Sequence, residues 1–325
     1  MAQKGNILSV REDVRVLDAT LRDGGLVNNF MFTDEFVKEL YETNVKAGVD
    51  YMEFGYKASK DLFDESKFGK WKFSKDEDIR AIVGDNKTDL KLCVMADVGR
   101  TDFKRDIVDK KDSPIDMIRI ATYIHQMPGA IEMIDYCKNK GYEVTCNIMA
   151  ISKAQESDVK LALEMVSKTG LDAIYIVDSY GSLVPEQIGR ITEFYQEVTD
   201  KYGISLGIHA HNNQQLAFAN TIEALKDGVS YLDATMNGMG RGAGNCAMEL
   251  ILGFLKNPKY SFIPILKFLE THMVKLKEEG VVWGFDIPYM LTGMMNQHPK
   301  AAIEAMASHN TNYREFFTGL LEQDI

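Results

Sequence analysis

The chain has no CxxC pair. Its four cysteines, Cys93, Cys137, Cys146 and Cys246, stand far apart. That spacing excludes a cysteine cage for zinc and a disulfide framework, and it fits reduced thiols in a cytoplasmic protein. No apolar run approaches the ~20 residues a bilayer-spanning helix needs. Met1 to Arg11 carries no apolar core of a secretion signal, so a cytoplasmic location without membrane contact is expected. A basic excess is missing too: 37 Lys and Arg stand against 48 Asp and Glu, a formal net charge of -11. A nucleic-acid partner is therefore not expected, whereas one local arginine still suffices to bind a small carboxylate. There is no GxGxxG-type phosphate loop and no low-complexity segment. What the chain has is length and apolar content: 325 residues, 45% of them hydrophobic, enough for a sizeable core.

Short β-rich runs alternate with longer helical patterns. The runs are Val14–Asp18, Tyr51–Gly55, Leu90–Met95, Met117–Ile120, Glu143–Ile148, Ala173–Val177, Leu206–Ile208 and Tyr231–Ala234. Between most of them apolar residues recur at three- and four-residue spacing, as in Ala130–Lys140 and Asp158–Thr169. Thr33 is a good N-cap, with acids in the turn that follows. Eight βα units over roughly 250 residues predict a TIM (β/α)8 barrel. A doubly wound open sheet is the alternative that the missing phosphate loop disfavours. The barrel is expected over 13–258. A helical tail over 259–325 is expected to pack on it, with helices at Phe262–Glu279 and Pro288–Ser308. Asp61–Asp78 lacks periodicity and reads as a long rim loop.

His209-Ala210-His211-Asn212 follows the apolar run Ile204–Ile208. Residues two apart on a strand share a face, so both imidazoles point together at a strand end. Two neutral imidazoles suit a divalent metal, and Asp23, in Thr20-Leu21-Arg22-Asp23-Gly24-Gly25 after another strand, offers a third ligand. In a barrel all three fall on the C-terminal face, where catalytic groups gather. Such a donor set suits Mn, Mg, Zn or Fe. Arg22 is either a surface residue or a guanidinium that binds a substrate carboxylate or a developing enolate. Asp18 is either an acceptor for a ligand histidine or a buried carboxylate satisfied by backbone amides. The glycine-rich run Gly238–Asn245 reads as a flexible loop with a helix start at Asn245, or as a backbone approach to a ligand. Asn245 then adds a fourth ligand or a substrate contact. Asn212 and Gly244 stand as candidate substrate contacts.

Together, Leu21-Arg22-Asp23-Gly24, His209-Ala210-His211-Asn212 and Gly242-Ala243-Gly244-Asn245 resemble the DRE-TIM metallolyase superfamily. The resemblance implies a (β/α)8 barrel with Asp23, His209, His211 and Asn245 as metal ligands and Arg22 at the enolate oxygen. It implies manganese or magnesium, with zinc as a further candidate. The biotin-dependent carboxyltransferases of that group carry a lysine where Val177 stands. Its condensing synthases carry a glutamate where Gly25 stands. Its CoA lyases carry a cysteine in the glycine loop, whereas Cys246 lies after it. Length and tail are most similar to the 4-hydroxy-2-oxovalerate aldolase branch. There Tyr289 resembles a tail tyrosine that handles the substrate hydroxyl; its other reading is a core aromatic. That branch places a histidine base where Leu26 stands, and neither Asn28 nor Asn29 replaces it. His125 and His298 are the candidate bases, and each has a structural reading as well. The function expected is a metal-dependent aldolase acting on a 4-hydroxy-2-oxo acid through a pyruvate-type enolate. An acyl-CoA-dependent condensing synthase and a non-catalytic barrel that binds metal and oxo acid are the alternatives. A homodimer and an aldehyde dehydrogenase partner are further expectations from the resemblance.

Overall fold

The computed structural model describes residues 8–323. Eight parallel strands close in sequence order into a barrel. They are β1 (Arg15–Asp18), β2 (Tyr51–Tyr56), β3 (Lys91–Asp97), β4 (Met117–Thr122), β5 (Glu143–Ile148), β6 (Ala173–Asp178), β7 (Ser205–Ala210) and β8 (Tyr231–Ala234). β1 pairs with both β2 and β8, which leaves no edge. Every run read from the sequence is one of these strands.

Helices coat the outside. Asp34–Ala47 starts as its residues dictate: Thr33 Oγ1 accepts from Phe36 N at 3.2 Å, and Asp34 and Glu35 occupy the positive end of the helix dipole. It stops at Gly48, whose φ of +72° and close approach to the Lys259 carbonyl admit only glycine. The helices Met127–Asn139, Glu156–Val166, Pro185–Thr199 and Ala217–Lys226 follow β4 to β7. The β3–β4 connection is thinner, with only a four-residue helix, Phe103–Asp106, and a short turn at Lys110–Asp112.

Side chains alternate across each strand. Even-numbered residues such as Val16, Met52, Val94, Ile118 and Ile176 pack under the helices. Odd-numbered ones, among them Leu17, Tyr51, Cys93, Met117 and Tyr175, fill the lumen. At its N-terminal end Tyr51 and Tyr231 donate to Glu143 at 2.7 and 3.1 Å, and Lys91 pairs with it at 2.9 Å. The Tyr175 ring crosses the middle; a Cβ at position 207 would lie 2.6 Å from it, which is why β7 carries Gly207 there.

After Pro258 the described residues form helices and no strand. Ile263–Phe268 runs through a π-turn, Leu269–Met273, into Val274–Glu278, and Phe268 meets Phe36 with ring centroids 5.3 Å apart. The single helix expected over Pro288–Ser308 is instead two, Ile287–Met294 and Lys300–Ala307. Asn296 at φ +49° and Pro299 break it. A further helix, Tyr313–Gln323, was not legible in the sequence. Asp61–Asp78 is a loop up to the turn Lys70–Lys72 and the helix start at Asp76. No described helix is long and apolar enough to cross a membrane.

Candidate metal centre

The segment after β1 turns at once into a short helix, Thr20–Asp23, which aims Arg22 and Asp23 over the C-terminal mouth of the barrel. His209 is the last inward-facing residue of β7. His211 stands one pleat further, where it forms an antiparallel bridge with Asn245. Ligand atoms of Asp23, His209 and His211 lie within 4.8 Å of one another, and all three residues are buried. Asp23 Oδ2 is 3.3 Å from His209 Nε2 and 3.9 Å from His211 Nε2. Asp23 Oδ1 accepts from Arg241 N at 3.0 Å.

These residues belong to a closed circuit of charge. His209 Nδ1 meets Asp233 Oδ2 at 3.0 Å, and Asp233 accepts from Arg119 at 2.5 Å. Arg119 also donates to Glu53 at 2.8 Å, and Glu53 accepts from Arg22 Nε at 2.9 Å. Arg22 donates to Asp23 at 2.6 Å, which closes the circuit on His209. Three carboxylates against two guanidiniums leave one negative charge in excess, the sign that attracts a cation. With Nδ1–H donated to Asp233, the lone pair of His209 Nε2 points at the cluster.

Burial works against the Asp23 carboxylate, but Arg22 and the two imidazoles hold it well below the usual carboxylate range. Burial likewise opposes a charged His211, whose pKa is pushed down to about 3, so it is a neutral donor. His209 is pulled the other way: its contacts with Asp23 and Asp233 overcome burial and raise it.

The site fits a divalent cation on two counts. His209 Nε2 and Asn245 Oδ1 are both buried without a hydrogen-bond partner, a costly state that a bound cation relieves. In addition, the glycine loop makes room for the donors: a Cβ at Gly240 would lie 2.1 Å from Asn245 Nδ2 and 2.7 Å from Asp23 Oδ1. Gly244, at φ +79°, would drive a Cβ to 2.1 Å from the Gly238 carbonyl. One oxygen-bearing acid, two imidazoles and an amide oxygen form a mixed N/O set suited to Mn, Mg or Zn.

The other sequence-predicted residues fall as follows. Asn212 donates its backbone N–H to the Gly244 carbonyl at 2.9 Å, while its side-chain oxygen accepts from Ala217 N at 3.2 Å, at the start of a helix. Tyr289 is half-buried, and its ring packs about Gly242, within 3.0 Å of where a Cβ there would lie. His125 is exposed and stacked on Tyr123, lining a cleft of about 620 Å³ with Tyr180 and Lys153; none of Asp23, His209 and His211 lines that cleft. His298 is exposed, accepts from Lys300 N at 3.1 Å and meets Tyr180 edge-on. The structure thus gathers Arg22, Asp23, His209, His211 and Asn245 and leaves both candidate bases outside that cluster. Asp18 does not reach a histidine. It accepts from Thr20 N at 2.9 Å, from the Thr20 hydroxyl and from Asn44 Nδ2 at 2.7 Å. Asp233 instead is the acceptor beside the candidate ligand His209. Glu53, Arg119 and Asp233 were missed in the sequence. Their signal was there, a charge at an inward position of an otherwise apolar strand.

Comparison with known proteins bears on the family of the chain. A family model described as HMGL-like matches residues 13–274. An oxaloacetate decarboxylase from Mycobacterium tuberculosis is 29% identical over 244 residues, 74% of this chain and 69% of the relative. A 4-hydroxy-2-oxovalerate aldolase from Pelotomaculum thermopropionicum is 28% identical over 265 residues, 81% and 76% of the two chains. Among solved structures, the N-terminal domain of a candidate aldolase from Bacteroides vulgatus superposes with a TM-score of 0.78 at 28% identity, covering 94% of this chain and 100% of that one. The chain belongs to the HMGL-like family, the DRE-TIM metallolyases, and at that level it is a metal-dependent lyase of aldolase type.

Proposed function

We propose that the chain cleaves the C3–C4 bond of a 4-hydroxy-2-oxo acid, with Asp23, His209, His211 and Asn245 holding manganese or magnesium, zinc being a further candidate. The observation that carries this reading is the closed circuit, which sets three ligand atoms within 4.8 Å and fixes a guanidinium beside them. When bound there, a divalent cation supplies Lewis acidity at the 2-oxo oxygen. Arg22 is held on two sides by Glu53 and Asp23, so it is already oriented toward the oxygen that gains charge as the bond breaks. Asp233 and Arg119 keep His209 in one tautomer. Burial of the whole circuit excludes water and strengthens each of these interactions.

One feature separates this reading from acyl-CoA condensation. The synthases' glutamate position is Gly25, and a Cβ there would lie 2.2 Å from the Phe30 ring, so the fold leaves no room for a side chain. Decarboxylation of a 2-oxo diacid is the second reading. It rests on the likeness to the oxaloacetate decarboxylase and on Leu26, because loss of CO2 from a carboxylate needs no base at a hydroxyl.

The test is proton–deuterium exchange at the methyl group of pyruvate, followed by NMR on chelator-treated protein with manganese, magnesium, zinc or nothing restored. Metal-dependent exchange that Asp23→Asn abolishes is the expected result. Exchange indifferent to metal, or unchanged in that variant, would overturn the ligand assignment. No exchange with any metal would overturn a pyruvate-type enolate.

A further inference from the structure

A second set of charges stands at the ends of β2 and β3, and the circuit does not include it. Met95 pairs with Arg119 and Asp97 with Ala121. Paired residues share a face of the sheet, and Arg119 faces the lumen, so Asp97 faces it as well, at the C-terminal mouth. Asp97 Oδ1 is buried without a hydrogen-bond partner, and its carboxylate makes no ion pair among the described residues. The charges acting on it are Lys72, Arg100, Arg22 and Glu53, with the Tyr56 hydroxyl nearby.

Lys72 is its counterpart. The side chain is buried, and its ammonium sits among aromatic rings: Phe63 at 4.2 Å, Tyr56 at 4.6 Å, Phe30 at 5.2 Å and Phe68 at 5.7 Å. It too makes no ion pair among the described residues, and the charges acting on it are Asp97 and Arg100. The Tyr56 ring is shared with Arg22, whose Cζ lies 6.0 Å from the same centroid. Phe30, which walls the cage, is the ring packed on Gly25. The segment that carries Leu26 in place of a histidine base therefore builds the cage of Lys72.

A half-buried carboxylate with one sealed, unpartnered oxygen and a buried ammonium, neither in an ion pair among the described residues, are costly to fold, and the Tyr56 ring joins the ammonium to Arg22; such a pair marks a working site. We propose that Asp97 is the group that accepts the proton of the substrate hydroxyl, with Lys72 as the positioning residue that sets its charge. This rests on the aldol-cleavage reading above. The Asp97 carboxylate takes the C4 hydroxyl proton, and the C4–O bond becomes the carbonyl of the departing aldehyde. The C3–C4 bond breaks, and its electron pair passes to C3 as the enolate of the 2-oxo acid. The same proton then returns from Asp97 to C3, which leaves Asp97 ionised for the next turnover. Burial supports the role by raising the basicity of Asp97, against the pull of Lys72, Arg100 and Arg22.

The test compares two reactions of the metal-loaded enzyme, cleavage of 4-hydroxy-2-oxopentanoate and decarboxylation of oxaloacetate. The second breaks its bond from an ionised carboxylate and needs no proton acceptor. Asp97→Asn is expected to lower the ratio of cleavage to decarboxylation by about 100-fold or more. Lys72→Met, which removes one of the three cations acting on Asp97, is expected to move the acid limb of the cleavage pH profile upward, with kcat falling more than KM changes. A purely structural role moves neither the ratio nor the limb. An unchanged ratio in Asp97→Asn, or an unmoved limb in Lys72→Met, would overturn the proposal, and the second variant decides it if the first does not fold. A wild-type enzyme that decarboxylates but cleaves no hydroxy acid overturns it while leaving the decarboxylase reading standing; one that does neither overturns both.

Discussion

The two ends of the barrel lumen bury the same kinds of group and treat them differently. At the N-terminal end Glu143 is held by Tyr51, Tyr231 and Lys91 beside an open recess of about 470 Å³, and the Lys91 side chain is 50% exposed. At the C-terminal end Glu53, Arg119 and Asp233 are sealed, with side chains no more than 1% exposed, and every charge is met by another protein group. Water shares the work at the first end. At the second only protein groups meet the charges, although Glu53 Oε1, Arg119 Nε and Asp233 Oδ1 stay without a hydrogen-bond partner, and the geometry is correspondingly fixed. Charge inside a barrel is tolerated when it closes on itself, and a closed set of charges is what can orient a metal ligand.

The largest test of that contrast is Arg119→Met. It leaves Glu53 with Arg22 alone and Asp233 with His209 alone in a sealed interior, and a loss of about 3–5 kcal/mol in urea unfolding is expected. A loss under about 1 kcal/mol would mean that the circuit is no tighter than a surface pair. Asp18 sharpens the contrast next, because it is sealed without any cation. Burial pushes its pKa up to about 6, and the hydrogen bonds from Thr20 and Asn44 only partly offset this. Its folded pKa is above the unfolded value of 3.8, so its contribution is fully present below about pH 4 and is lost as pH rises through 6. The stability of the wild type relative to Asp18→Asn is therefore expected to fall by about 2–3 kcal/mol between pH 4 and pH 7. An opposite slope would show that Asp18 is held ionised, as Asp23 is. Asp233→Asn comes third: metal affinity measured by competition with a chelator dye is expected to drop about 10- to 100-fold. The smallest effect belongs to the open end, where Glu143→Gln is expected to change stability by no more than about 1 kcal/mol.

The barrel was legible because a period of two writes itself into each strand run, and eight such runs with helical patterns between most of them leave few folds. The candidate ligands, which the structure brings together, were legible because each sits in a short local motif. The circuit was not, because its bonds span 66 positions from Glu53 to Arg119 and 114 from Arg119 to Asp233. Glu53, Arg119 and Asp233 stood in plain view as lone charges within apolar runs, but only closure of the sheet joins them. Asp18 was nearer in sequence to the ligands than Asp233 and drew attention for that reason. Yet it turns back onto Thr20 and Asn44. Lys72 lay hidden for a different reason: its partners are rings scattered from Phe30 to Phe68 in a stretch without periodicity. The break in the tail at Asn296 depends on a left-handed backbone that a helical pattern does not announce.

The antiparallel contact at the mouth, His211 against Asn245, limits how this enzyme breathes. Asn212 N to Gly244 O at 2.9 Å and Cys246 N to Ala210 O at 3.2 Å stitch the glycine loop to the end of β7. Any outward swing of that loop would tear both stitches and carry Asn245 away from Asp23. On that side, opening the mouth and keeping the four candidate ligands together are mutually exclusive acts. The aromatic stretch between Lys57 and Lys75 carries none of Asp23, His209, His211 and Asn245, so a shift there would leave those four in place.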